Sequence, residues 1–235
     1  MIDVRPFSSL GGSNHGWLDT KHHFSFADYQ DPHRVHWGTL RVWNDDTIAA
    51  NTGFPPHPHA NMEIITYVRK GAITHQDSIG SLGRTGAGDV QVMSAGTGIR
   101  HSEYNREAED SQIFQIWIIP DEQGGEPRWG TKPFPKENRD GKFVTLASGM
   151  EGDEDALMIR SNARVVGASI KAGQTIEYTF SDENRYGYLV PALGSVHVND
   201  IALHEGDGAA IHGEKTIRVT ADTDAEVVLV DSAAL

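Results

Sequence analysis

The 235-residue chain contains no cysteine. That excludes disulfides, thiolate metal ligands and a cysteine nucleophile, and it leaves the 12 histidines without a thiol competitor for a metal. Positive charge is also short, with 20 Lys and Arg against 33 Asp and Glu and a net charge of −13. Non-specific binding to nucleic acid or to an anionic membrane needs a basic footprint, so neither is expected as a partner, whereas a protein partner stays open. Long apolar runs are missing too. No window approaches the roughly 18 apolar residues of a membrane span, and the start Met1-Ile2-Asp3-Val4-Arg5-Pro6 has no apolar targeting core. A soluble cytoplasmic protein is therefore expected. No stretch sustains a 3.6-residue apolar period, which predicts little helix.

What is present is a succession of short β-rich runs separated by Gly, Asp and Asn turns. Leu40–Asn44 runs into Asn44-Asp45-Asp46, which reads as a turn; Met62–Val68, Val90–Met93 and Ile113–Ile119 follow, the last closed by Pro120. Such spacing predicts antiparallel barrels or sandwiches. Residues 1–37, with Phe24 and Phe26 alternating and a turn at Asp31-Pro32, read as a packed N-terminal arm; His15, His22 and His23 have no partner at ligand spacing. Asp121–Gly141 is polar and carries Pro127, Pro133 and Pro135, so it is expected to connect two domains, 1–130 and 131–235.

The chemistry concentrates in two pairs. His57/His59 and His101/Glu103 are each two residues apart, so on extended strands both members of a pair face the same way. Two such strands side by side bring three imidazoles and one carboxylate to a point. That set suits Fe(II), Mn(II), Ni(II), Co(II), Cu(II) or Zn(II), and fits neither the all-oxygen shell of calcium nor a thiolate site. Glu63 lies at even spacing from both histidines, so an unbroken strand would aim it at the same face. His75 reads as a packed or hydrogen-bonded histidine. Gly96-Thr97-Gly98-Ile99-Arg100 has no helix behind it and reads as the tight turn that delivers His101.

The halves look like distant repeats. Thr52-Gly53 is mirrored by Ala172-Gly173, and Gly86-Ala87-Gly88-Asp89 by His204-Glu205-Gly206-Asp207, but Gln174–Phe180 contains no His-x-His. The second half is expected to share the architecture without a metal, leaving His197, His204 and His212 apart.

These residues resemble the cupin superfamily. Gly53, His57-Pro58-His59, Glu63 and Gly71 follow its first motif, and Gly88, Gly96, His101 and Asn105 its second, with Ser94 for a proline and two extra residues before His101. Those departures, together with Thr74-His75-Gln76-Asp77-Ser78, Met93 to Glu103 and Phe24 to Pro32, resemble the pirin family of bicupins. The resemblance implies an all-β fold of two antiparallel β-barrel or jelly-roll cupin domains. It implies one metal, iron by preference, held in the N-terminal domain by His57, His59, His101 and Glu103. Glu63 would then support a ligand by orienting a histidine. Bacterial members of this kind are associated with quercetinase activity, the opening of flavonols with dioxygen, in which Glu103 would ligate the metal and accept the flavonol proton. The alternative is a redox-sensing regulator that works through protein partners.

Overall fold

The structure, a computed structural model, describes residues 1–235. It is almost entirely β, with helix confined to two single 3₁₀ turns, Phe7–Ser9 and Lys136–Arg139. No helix is long and apolar enough to cross a membrane.

Each half is a sandwich of one seven-stranded and one four-stranded sheet. In the N-terminal half the large sheet runs in the order Arg128–Lys132, Val90–Ser94, Glu63–Lys70, Ser111–Ile118, Leu40–Ile48, Leu18–His22, Gly11–Asn14. Its small sheet runs Thr52–His59, Ile99–Asn105, Ala72–Asp77, Leu82–Gly86. The C-terminal half repeats the small-sheet order with Thr175–Thr179, Thr216–Ala221, Val196–Val198, Ile201–Leu203, and its large sheet runs Ile2–Arg5, Gly208–His212, Tyr186–Leu193, Ala225–Ser232, Ala163–Ile170, Val144–Ser148, Leu157–Met158, the last pair parallel. Neither half closes into a barrel; the sheets keep open edges, as in a jelly roll. The outer edge at Thr52–His59 contains Pro55, Pro56 and Pro58, and prolines have no N–H with which to recruit a further strand.

Three segments depart from the sequence-based expectation. Asn44-Asp45-Asp46 is not a turn but the buried middle of Leu40–Ile48. Asp45 is held there by Arg69 Nη1 at 2.7 Å, and Asp46 is pushed up to about 7 by burial, reinforced by Asp45. Within the expected connection, Arg128–Lys132 is a strand paired with Val90–Ser94, so a cut at 130/131 would run through it. Ile2–Arg5 pairs with Gly208–His212 in the C-terminal sheet, in the place that Arg128–Lys132 takes in the N-terminal one. The two halves thus hold one another by an exchanged edge strand.

The large sheets face each other across a core of 22 buried residues that includes Trp43, Phe114, Tyr188 and Val228. Inside the C-terminal sandwich lies a second apolar core of 18. The N-terminal sandwich differs. Its apolar residues split into groups of five and four, and the space between holds buried His75, Gln91, His101, Glu103 and Gln115. Burying that many polar groups is tolerable only when they bond one another or a ligand.

Candidate metal centre

Thr52–His59 and Ile99–Asn105 are antiparallel neighbours with His57 directly opposite His101. Along the first strand Pro55, Pro56 and Pro58 face solvent while His57 and His59 turn inward. Along the second, Ile99, His101, Glu103 and Asn105 alternate inward. The register slips between His101 and Glu103, where Phe54 to His57 spans one residue more than its partner. That bulge falls on Pro55 and Pro56, which have no N–H to give to a ladder.

The ligand atoms of His57, His59 and His101 all lie within 4.8 Å of one another. His57 Nε2 and His101 Nε2 are 3.0 Å apart. Hydrogen bonds on the far sides of both rings fix where their protons sit. His57 Nδ1–H donates to the Pro55 carbonyl at 2.7 Å, which leaves Nε2 with a lone pair. Asp77 Oδ2 accepts from His75 Nε2–H at 2.7 Å, so His75 Nδ1 is an acceptor, and His101 Nδ1–H donates to it at 3.3 Å. The His101 Nε2 lone pair therefore points at that of His57. Two lone pairs at 3.0 Å repel unless a cation lies between them, and the donor set fits a transition metal. Burial, followed by the charge of His57, lowers His59 to about 4; burial and the neighbouring histidines hold His101 lower still. Both are neutral at pH 7, as ligands must be.

Glu103 is fully buried beside this cluster. Its Oε1 stands 3.6 Å from His101 Nε2, while Gln91 Nε2 donates to Oε2 at 3.0 Å and Gln115 Nε2 to Oε1 at 3.3 Å. Burial, with Asp46 next, pushes its carboxyl up to about 7. Glu63 is placed elsewhere. The chain turns a corner at Asn61, with φ 52°, so the even spacing does not continue as one strand, and Glu63 pairs across the large sheet with Ser94. Its carboxylate accepts from the Ser94 hydroxyl rather than orienting a histidine. His75 is fully buried, bonded as above and stacked on Trp129.

The matching positions of the C-terminal sandwich are apolar: Ile176 and Tyr178 lie opposite Val219 and Ile217. His197 and His204 pair with Asp222 and Asp207, and His212 stacks on Tyr186.

The family profile described as Pirin matches residues 3–118, and that described as Quercetinase C-terminal cupin domain matches residues 145–232. A curated relative from Caulobacter vibrioides named Pirin-like protein is 65% identical over 233 residues, covering 99% of this chain and 100% of that one. The chain belongs to the pirin family. Quercetin 2,3-dioxygenase of Escherichia coli (strain K12) is 40% identical over 232 residues, covering 98% of each. The solved structure of the bacterial pirin YhhW from Escherichia coli in complex with nickel(II) superposes with a TM-score of 0.93 at 38% identity, covering both chains fully. Both halves are thus cupin-type domains, and the three-histidine cluster of this pirin-family chain can bind a metal.

No sequence pattern marks Gln91, Gln115 or Trp129 as part of the site, while Asp77 lies in the Thr74–Ser78 segment that carries the resemblance. Asp77 alone had a local signal, standing two residues from His75 in a strand pattern; the others reach the site from separate strands.

Proposed function

We propose that this chain is a metal-dependent dioxygenase that opens flavonols such as quercetin with dioxygen, with Fe(II) as its native metal. The observation that carries the reading is the pair of opposed Nε2 lone pairs on His57 and His101, 3.0 Å apart and closed by His59. His57, His59 and His101 would hold the metal, with Glu103 as the fourth ligand. Bound there, the metal supplies Lewis acidity at the flavonol 3-hydroxyl. The name of the Escherichia coli relative supports the substrate class.

The protein's own groups do the rest. Glu103 can take the hydroxyl proton, and Gln91 and Gln115 hold its two oxygens in place. Beside it lies a cavity of about 310 Å³ lined by Trp17, Phe26, Phe54, Asp46 and Gln115. Trp17, Phe26 and Phe54 offer flat apolar faces to a polyphenol ring, and Ser13, Asn44 and Asp46 offer polar groups to its hydroxyls.

Oxygen uptake by the iron-loaded protein with quercetin tests the reading. Wild type is expected to consume dioxygen in step with flavonol loss. Glu103→Gln keeps the volume and one oxygen ligand but cannot accept the proton, so turnover should fall about 10²–10⁴-fold, the span of general-base catalysis, while metal content falls far less. A metal-loaded wild type that takes up no oxygen with any flavonol overturns the proposal in favour of a redox-sensing regulator that acts on a protein partner.

A further inference from the structure

We infer that Asp77, acting through His75, holds His101 in the one tautomer that can bind a metal, which makes Asp77, His75 and Trp129 positioning residues of the centre. This rests on the reading of the three histidines as metal ligands and not on the choice of substrate.

The argument follows the donors and acceptors from the outside in. Asp77 sits at the end of Ala72–Asp77 with its side chain wholly buried. Its Oδ1 accepts the backbone N–H groups of Ile79 and Ser81, both at 3.0 Å. Its Oδ2 accepts from His75 Nε2 at 2.7 Å. A carboxylate used on both oxygens as an acceptor is rigid and has no proton to offer. His75 must therefore carry its proton on Nε2. Its Nδ1 can only accept, so His101 must carry its proton on Nδ1 and present a bare Nε2 to the metal. One carboxylate thereby decides the state of two imidazoles.

Ring orientation is supplied from another part of the chain. Trp129 lies flat on His75, with centroids 4.7 Å apart and planes 5° apart. Gly83, the ladder partner of His75, makes room for the edge of the indole, since a Cβ there would come within 2.3 Å of Trp129 Cη2. Trp129 comes from Arg128–Lys132, so the segment between the two halves reaches the metal centre through this stack. Partners of a metal-bound histidine's second nitrogen orient the ring and strengthen its binding, and their loss typically costs about 10–100-fold in affinity.

Asp77→Asn is the decisive change. The amide oxygen can keep the two backbone bonds, but its NH₂ then faces His75 Nε2 as a donor. His75 must move its proton to Nδ1, where it meets the Nδ1–H of His101, and His101 is driven to the Nε2–H form that cannot ligate. His75→Gln offers His101 an amide oxygen whatever stands at position 77, so in that background Asp77→Asn should cost nothing further. The experiment measures Co(II) affinity by chelator competition for wild type, both single variants and the double variant. The imidazole ¹⁵N spectrum of the metal-free proteins is recorded alongside, with circular dichroism as the check on folding.

The expected result is about a 10–100-fold loss for Asp77→Asn, a shift of His101 from Nδ1–H to Nε2–H, and a double variant no weaker than His75→Gln alone. A merely structural Asp77 would give the same loss in both backgrounds and leave the tautomer unchanged. Either result overturns the inference, as does Asp77→Asn binding Co(II) as tightly as wild type. If wild type binds no Co(II), the ligand reading fails on its own, and the ¹⁵N spectrum still decides whether Asp77 sets the tautomer.

Discussion

His57 and His101 face each other across two neighbouring strands with their Nε2 atoms 3.0 Å apart, each ring having its other nitrogen already committed to a hydrogen bond. The strands supply this opposition through register alone, since His57 and His101 are direct partners in the ladder. The site is therefore built into the sheet rather than borne on a loop, which keeps ligand geometry precise.

Removal of a ligand should consequently leave the fold standing. His101→Ala is expected to lose metal by far more than the about 10–100-fold typical of disturbing an outer contact. The 22-residue core between the large sheets contains none of the ligands, so the apo variant should keep its β-sheet circular dichroism. Elemental analysis and a thermal melt check both halves of this expectation. Global unfolding of the variant would show the metal to be a structural staple.

The exchange of edge strands makes a second region sensitive. Gly208 opens the strand that receives Ile2–Arg5, and a Cβ there would stand 2.1 Å from Tyr188 Oη and 2.8 Å from His23 Nδ1. Those two atoms share a buried hydrogen bond of 2.8 Å. Gly208→Ala should cost about 1–3 kcal/mol from overpacking, and about 1 more if the bond breaks. Urea denaturation reads the change. A loss within experimental error would mean that Tyr188 swings aside freely.

Acidity gives a third handle, best measured on metal-free protein. Asp46 is raised from 3.8 to about 7 by burial, so between those values the folded chain keeps a proton that the unfolded chain has released. Its effect is a loss of stability as pH rises from about 4 to 7, by up to about 1.4 kcal/mol per unit. His23 acts in the opposite sense. Burial, then Arg5, lowers it to about 3, so stability is lost as pH falls from 6.5 towards 3. Asp46→Asn removes the first slope only. The variant should match wild type near pH 4 and exceed it at pH 8 in urea midpoint; a variant weaker at pH 8 would mean that Asp46 is charged and paired.

Much of this protein was legible in the sequence because its signals are local. Period-two patterning with Gly and Asp turns implied the strands, and the i,i+2 spacing of His57/His59 and His101/Glu103 put each pair on one face without knowledge of the fold. The mirrored turns around Gly88 and Gly206 imply the repeat, and the shared small-sheet order of the two halves agrees with it. Other features depend on partners distant in sequence, and no local pattern encodes those. Asn44-Asp45-Asp46 has turn composition, yet it lies inside a strand, where Arg69 answers the charge of Asp45 and burial raises the carboxyl of Asp46 so that it gives up its proton less readily. Trp129 sits in a stretch rich in proline and charge, yet it pairs beside Met93 and caps His75. Glu63 keeps the right parity, but the corner at Asn61 turns it to Ser94. Parity holds only while a strand runs unbroken, and charge burial is tolerated only where a distant residue answers it; both conditions were decided by the tertiary structure.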